Sequence, residues 1–145
     1  MFKTITRSIV LLLICIFFNQ LLATIFGSNI TSFIFAPMNE ETIRLVSVLQ
    51  GPPLNVVFTF MLSFFEFSGY LKMARINYGY IPNIFLILRI WCVILHFIFL
   101  SCQLYGWRLY IKKNKKRYLI AGYITAIFLH FLWNNFGSII IEKII

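Results

Sequence analysis

Eight side chains in this sequence could do chemistry, and all eight lie inside or beside long apolar stretches: Glu40, Glu41, Arg44, Glu66, Arg89, His96, His130 and Asn134. The densest group is Glu40-Glu41-Thr42-Ile43-Arg44. The chain has only four acidic residues, and two of them stand here side by side. A charge near the middle of a bilayer costs roughly 2.5–3.5 kcal/mol, so each needs a partner or a task. Arg44 follows Glu40 by four residues and Glu41 by three, and both spacings put side chains within reach on a helix. Two readings follow. One is an activated carboxylate held by an arginine; the other is an ion pair that neutralises itself and locks a bundle.

The remaining groups extend the pattern. Glu66 sits in Phe64-Phe65-Glu66-Phe67, where a lone carboxylate needs a partner or a proton. Arg89 and His96 are seven residues apart on one helical face, with Cys92 between them. His130 and Asn134 have i, i+4 spacing and project to one side of their helix. The chain's two histidines fall in different apolar segments. Neutral imidazole is both the commonest metal ligand and a general base near pH 7. Either histidine alone fits an interhelical hydrogen bond better than a reactive role. Together with three glutamates and two arginines they point to a proton path, an ion path or hydrolysis. There is no HExxH zinc helix, no GxSxG elbow and no aspartate at all, which excludes a paired-aspartate mechanism. What is left is a Glu/His site assembled between helices. It would activate water through a glutamate, or hold a metal with water in an open position.

The elements that must position these groups are membrane helices. The chain has 145 residues, of which 61% are hydrophobic, and a mean hydropathy of +0.88. That composition predicts an all-α, polytopic membrane bundle of about five transmembrane helices forming a single domain over residues 1–145. The segments run from Ser8 to Phe26, Asn29 to Leu49, Leu54 to Leu71, Ile81 to Trp107 and Tyr118 to Ile141. The second carries Glu40, Glu41 and Arg44 and suits the bundle interior. Pro37 predicts a break at Ala36, with Asn39 capping a helix that begins at Glu40 and places both glutamates in its first turn. Gly51-Pro52-Pro53 ends the segment. Lys3 and Arg7 ahead of the first apolar run resemble a signal peptide, but no A-x-A site follows, so an uncleaved first helix is expected.

The net charge of +9 is concentrated in Lys112-Lys113-Asn114-Lys115-Lys116-Arg117. This run marks a cytoplasmic loop rather than a nucleic-acid surface. Five spans would place the N-terminus and the 108–117 loop in the cytoplasm of a multi-pass cell-membrane protein, with the C-terminus outside. Lys72 and Arg75 would then face outward, against the charge rule. Cys15, Cys92 and Cys102 have no CxxC spacing and read as small buried hydrophobes.

The order of the motifs resembles a known family. Pro37-Met38-Asn39-Glu40-Glu41-Thr42-Ile43-Arg44 is similar to the P-x-x-E-E-x-x-K segment of the PrsW family of intramembrane proteases, with Arg44 in place of the lysine. Glu66-Phe67-Ser68-Gly69-Tyr70 looks like that family's second motif. Arg89 and His96 look like its third, and His130-Phe131-Leu132-Trp133-Asn134 matches its H-x-x-W-N. The resemblance covers roughly residues 36–137 and extends to the wider superfamily of CAAX-processing and bacteriocin-processing membrane proteases.

The resemblance implies an intramembrane endopeptidase acting on a membrane protein or peptide. Glu40 or Glu41 would activate water, with the neighbour held by Arg44. His96 would orient that water or ligate a metal. His130 and Asn134 would stabilise the oxyanion. Glu66 would be a further ligand or an arginine's partner, and Arg89 a supporting residue. If a metal is bound, zinc held by His96, His130 and Glu66 is the expectation. The alternatives are a non-catalytic binding or immunity protein of the same fold, and a small ion or proton transporter.

Overall fold

The computed structural model describes residues 2–144, which are helical almost throughout, with no strand among the described residues. The order is α1 (Phe2–Phe26), a single turn α2 (Ser28–Ile30), a π-helical turn Thr31–Phe35, α3 (Ala36–Leu49), α4 (Leu54–Tyr78), α5 (Asn83–Lys113) and α6 (Lys116–Ile144). Helices α1, α4, α5 and α6 are each long and apolar enough to cross a membrane, so this is a multi-pass all-α bundle. The helices outrun the apolar segments. Helix α4 continues through Lys72 and Arg75, and α5 through Lys112 and Lys113, because those residues favour helix once the preceding turns exist. The last-turn lysines of α5 also meet the negative end of the helix dipole. Asn114 closes that helix in the left-handed conformation, φ 49°.

Helix α3 is short but central, touching α1, α4, α5 and α6. The expected break at Ala36 does not occur, and Asn39 does not cap a helix starting at Glu40. Residues 28–49 form one continuous helical rod, about 33 Å long at 1.5 Å per residue. The π-helical turn is what lets the rod pass Pro37. Its wider register pairs the Ala36 N–H with the Thr31 carbonyl. The Ser32 carbonyl is then left over, because Ala36 is engaged and Pro37 has no N–H to give. Asn134 Nδ2 of α6 donates to that carbonyl at 3.0 Å. Asn39 instead donates to the Cys15 carbonyl at 3.0 Å and to Asn19 Oδ1 at 2.8 Å, tying α3 to α1. Glu40 and Glu41 thus sit mid-rod rather than at a helix start.

The bundle's polarity is reversed relative to a water-soluble domain. Leu13, Phe17, Phe60, Phe64 and Ile124 are exposed, as a lipid face requires, whereas Arg44, His96, Gln103, Glu41 and Asn55 are among the largest fully buried side chains. Helices α5 and α6 make the closest pairing, through Gly106 and Gly122. A Cβ on Gly106 would lie 2.6 Å from the Tyr118 carbonyl oxygen, and one on Gly122 would lie 2.6 Å from that of Cys102. Backbone meets backbone here, as small residues allow between membrane helices.

Gly106→Val is therefore expected to force the two helices apart and destabilise the detergent-solubilised protein by about 1–3 kcal/mol, the usual cost of overpacking. Gly69→Ala, in open space, is the control for a thermal melt. Equal melting of both variants would contradict the close approach.

Candidate active site

Neighbouring residues on a helix point about 100° apart, so Glu40 and Glu41 leave α3 in different directions and meet different groups. The Glu41 carboxylate is saturated with donors. Oε1 accepts from Arg44 Nη1 and from His130 Nδ1 at 2.8 Å. Oε2 accepts from Gln103 Nε2 at 2.8 Å, and the same amide also reaches the Glu41 carbonyl at 3.0 Å. Glu41, Arg44 and Gln103 are fully buried. One carboxylate therefore joins α3 to α5 and α6.

Glu40 is buried but not saturated. Oε1 accepts from Asn19 Nδ2 of α1 at 3.2 Å. Oε2 has no hydrogen-bond partner and lies 3.7 Å from His130 Nε2. Arg44 spans the other side, donating through Nη2 to His96 Nδ1 at 2.7 Å. His96 Nε2 lies 2.6 Å from Glu66 Oε2. Arg44 thus reaches Glu41 and not Glu40, and the partner of Glu66 is a histidine rather than an arginine.

With both imidazoles taken as neutral and Glu40 as ionised, the contacts set which ring nitrogen carries each proton. Arginine only donates and a carboxylate only accepts. His96 must accept from Arg44 at Nδ1, so its N–H is at Nε2 and is given to Glu66. His130 must donate to Glu41 at Nδ1, so its lone pair is at Nε2. That lone pair faces the unpartnered Oε2 of Glu40: two acceptors confront each other with no donor between them. Three carboxylates surround one guanidinium, so with all three ionised and both imidazoles neutral the buried cluster would carry an excess of two negative charges. An excess of that kind, away from water, calls for protons or a cation.

The structure brings together six of the eight residues singled out in the sequence: Glu40, Glu41, Arg44, Glu66, His96 and His130. The rings of the two histidines are 5.2 Å apart and nearly perpendicular. Phe99 stacks on His130 at 4.9 Å. Arg89 and Asn134 stand outside the cluster, in the wall of a neighbouring cavity, and the Asn134 amide is turned to the Ser32 carbonyl. Donor atoms of Glu40, His96 and His130 lie within 4.8 Å of one another, as do those of Glu66, Cys92 and His96. The expected ligand set of His96, His130 and Glu66 is thus divided between two possible metal-binding groups: His130 and His96 go with Glu40, and Glu66 and His96 go with Cys92.

Two polar partners were not anticipated, Asn19 and Gln103. Gln103 carried a usable signal, since it follows His96 by seven residues and shares its helix face. Asn19 is a polar interruption in the apolar run of α1, and nothing in its spacing ties it to Glu40. No family model, curated protein or solved structure matches this chain.

The Arg44–Glu41 pair is expected to dominate stability. Removing one member of a buried ion pair strands the other charge and costs about 3–5 kcal/mol. Arg44→Met and Glu41→Gln should each lower the unfolding midpoint strongly in detergent, and the double variant should recover part of the loss. Single variants that unfold like the unsubstituted protein would show that the pair does not hold the bundle.

Proposed function

We propose that this chain is a membrane-embedded endopeptidase that hydrolyses a peptide bond of a membrane-associated protein or peptide, with Glu40 as the base. The observation that carries the reading is Glu40 Oε2, buried without a hydrogen-bond partner and 3.7 Å from His130 Nε2. A water placed about 2.8 Å from each atom would donate one hydrogen to the carboxylate and one to the imidazole. Its lone pairs would then be free to attack a carbonyl carbon. Glu40 takes the proton as the bond to carbon forms and delivers it to the departing amine. Glu41 is unsuited to that step, because its oxygens are already occupied by Arg44, His130 and Gln103. Its role is to hold His130 in the tautomer that presents Nε2.

The oxyanion needs donors. His130 becomes one when the proton taken by Glu40 is passed across to Nε2 before it goes to the amine, and the Glu41 carboxylate at Nδ1 stabilises that imidazolium. Such a donor contributes roughly 2.7–4 kcal/mol.

The donor set also fits zinc. The unpartnered Glu40 oxygen, the His130 lone pair and the Glu41 carboxylate that orients His130 match the usual pattern of a ligating histidine backed by an acid. His96 completes the set only if Arg44 releases Nδ1. A zinc ion there would polarise the scissile carbonyl as a Lewis acid.

Glu40→Gln is expected to lower the cleavage rate by about 10²–10⁴-fold, the usual contribution of a general base, with the melting temperature little changed. The assay is mass spectrometry of a membrane-peptide library incubated with reconstituted protein. Cleavage by Glu40→Gln at the unsubstituted rate would remove Glu40 as the base.

The same reading places the protein in the cell membrane with five crossings. The rod at residues 28–49 counts as one, since about 33 Å matches a hydrocarbon core of about 30 Å. Lys3 and Asn114 then share the cytoplasmic side. Single cysteines at those two positions should be labelled from the same face of the membrane. Labelling from opposite faces would mean that the rod does not cross.

A further inference from the structure

Beside the Glu/His cluster lies a cavity of about 330 Å³, lined in part by Ser32, Tyr70, Asn77, Arg89, Trp133 and Asn134. None of Glu40, Glu41, His96 or His130 lines it, yet it is one helical turn away. Tyr70 follows Glu66 by four residues, and Asn134 follows His130 by four. Glu66 is the one acid of the cluster with sizeable exposure, 21% of its side chain, and it marks the side on which the cluster opens.

Arg89 is the unexplained group in this cavity. Its guanidinium carbon sits 3.6 Å above the centre of the Tyr70 ring and 5.0 Å from that of Phe85. Its Nε is buried without a hydrogen-bond partner. No carboxylate among the described side chains pairs with it: Glu41 meets Arg44 and His130, Glu66 meets His96, and the nearest charged partner of Glu40 is His130. Arg44, fully buried, has its anion in Glu41. Stacking on Tyr70 fixes the plane of the guanidinium and leaves its edge, where the N–H donors are, for a ligand in that plane.

We infer that Arg89 is the anchor of a carboxylate-binding subsite and that the peptide held at the Glu/His cluster presents a carboxylate to it. The inference rests on the peptidase reading for its orientation toward the cluster. A planar carboxylate matches the rigid guanidinium edge with two parallel hydrogen bonds. The side-chain amides of Asn77 and Asn134 in the same wall suit the N–H and C=O groups of a peptide, which an acyl chain lacks. The cavity is at the small end of ligand-site volumes, about 300–1,000 Å³, and fits a short peptide stretch. Arg89 precedes His96 by seven residues, two helical turns or about 10 Å. About three extended residues span that distance. The carboxylate comes from an acidic side chain or from the peptide's own C-terminus.

The test is fluorescence anisotropy of a labelled alanine–leucine heptapeptide, with the full chain carrying Glu40→Gln in neutral phosphatidylcholine nanodiscs so that binding is read without cleavage. Three probes are compared: free C-terminus, amidated C-terminus, and amidated with one internal glutamate. At least one acid form is expected to bind about tenfold or more tightly than the neutral amide, and the two acid forms separate the sources. Arg89→Gln should abolish the difference, while Arg89→Lys should keep part of it. Equal binding of acid and neutral probes by the Arg89 chain overturns the inference even if Arg89→Gln fails to fold. So does displacement of the acid probe by phosphatidylglycerol nanodiscs, which would assign Arg89 to a lipid headgroup. Failure of the peptidase reading is separate: a chain with Glu40 intact that cleaves nothing, yet still discriminates the probes by charge, would leave the subsite standing on a binding protein.

Discussion

A carboxylate buried in a membrane bundle has no water to fall back on, and the arrangement of this protein follows from how Glu41 meets that constraint. Its oxygens collect donors from Arg44 of α3, Gln103 of α5 and His130 of α6. Those donors coincide only when three helices pack in one register. Slide any of them by a turn, about 5.4 Å, and a charge or an amide is left unpaired in an apolar medium. Apolar side chains are nearly indifferent between lipid and protein, so they specify little about which helix faces which. The polar network supplies that specificity.

Pro37 makes a second demand, and α6 answers it. A proline inside a buried rod would normally strand a carbonyl and kink the helix. Here a π-helical turn carries the chain past it, and the stranded Ser32 carbonyl takes a hydrogen bond from Asn134. His130 and Asn134, one turn apart on α6, therefore grip α3 at two levels. His130 meets the glutamates, and Asn134 meets the backbone defect one turn further along. An i, i+4 pair that looked like two parts of one reactive centre is divided between the centre and the frame that aligns it.

The helical segments and most of the cluster were legible in the sequence because each rests on a local rule. Apolar length gave the spans, helical spacing linked Arg44 to the glutamates, and rare polar residues in apolar runs marked Glu66, His96 and His130. What was not legible depended on tertiary partners. The break expected at Pro37 rested on local sterics alone and omitted the carbonyl acceptor that α6 could relieve. Asn39 reads as a cap by local preference, but Asn19 and the Cys15 carbonyl on α1 compete for its amide. The preference of Arg44 for Glu41 over Glu40 is beyond spacing arguments, since both separations are permitted. It is decided by His96 on α5, which fixes where the guanidinium must lie.

The two readings of the double glutamate turn out to belong to different residues. Glu41 is the self-neutralised lock; Glu40 is the carboxylate with an oxygen to spare. Adjacency is what makes that division possible. Two carboxylates on consecutive positions share one stretch of backbone, so the anchor that fixes Glu41 also fixes the depth of Glu40. Their different directions keep the lock from consuming the free oxygen. A single glutamate could not serve both ends, because the donors that make it stable in the membrane would occupy the lone pairs that make it a base. The hydrolysis proposed above would demand a reactive carboxylate without the freedom of a solvated one. A saturated neighbour on the same helix supplies rigidity to an unsaturated one, and leaves one carboxylate oxygen unpartnered where it meets His130.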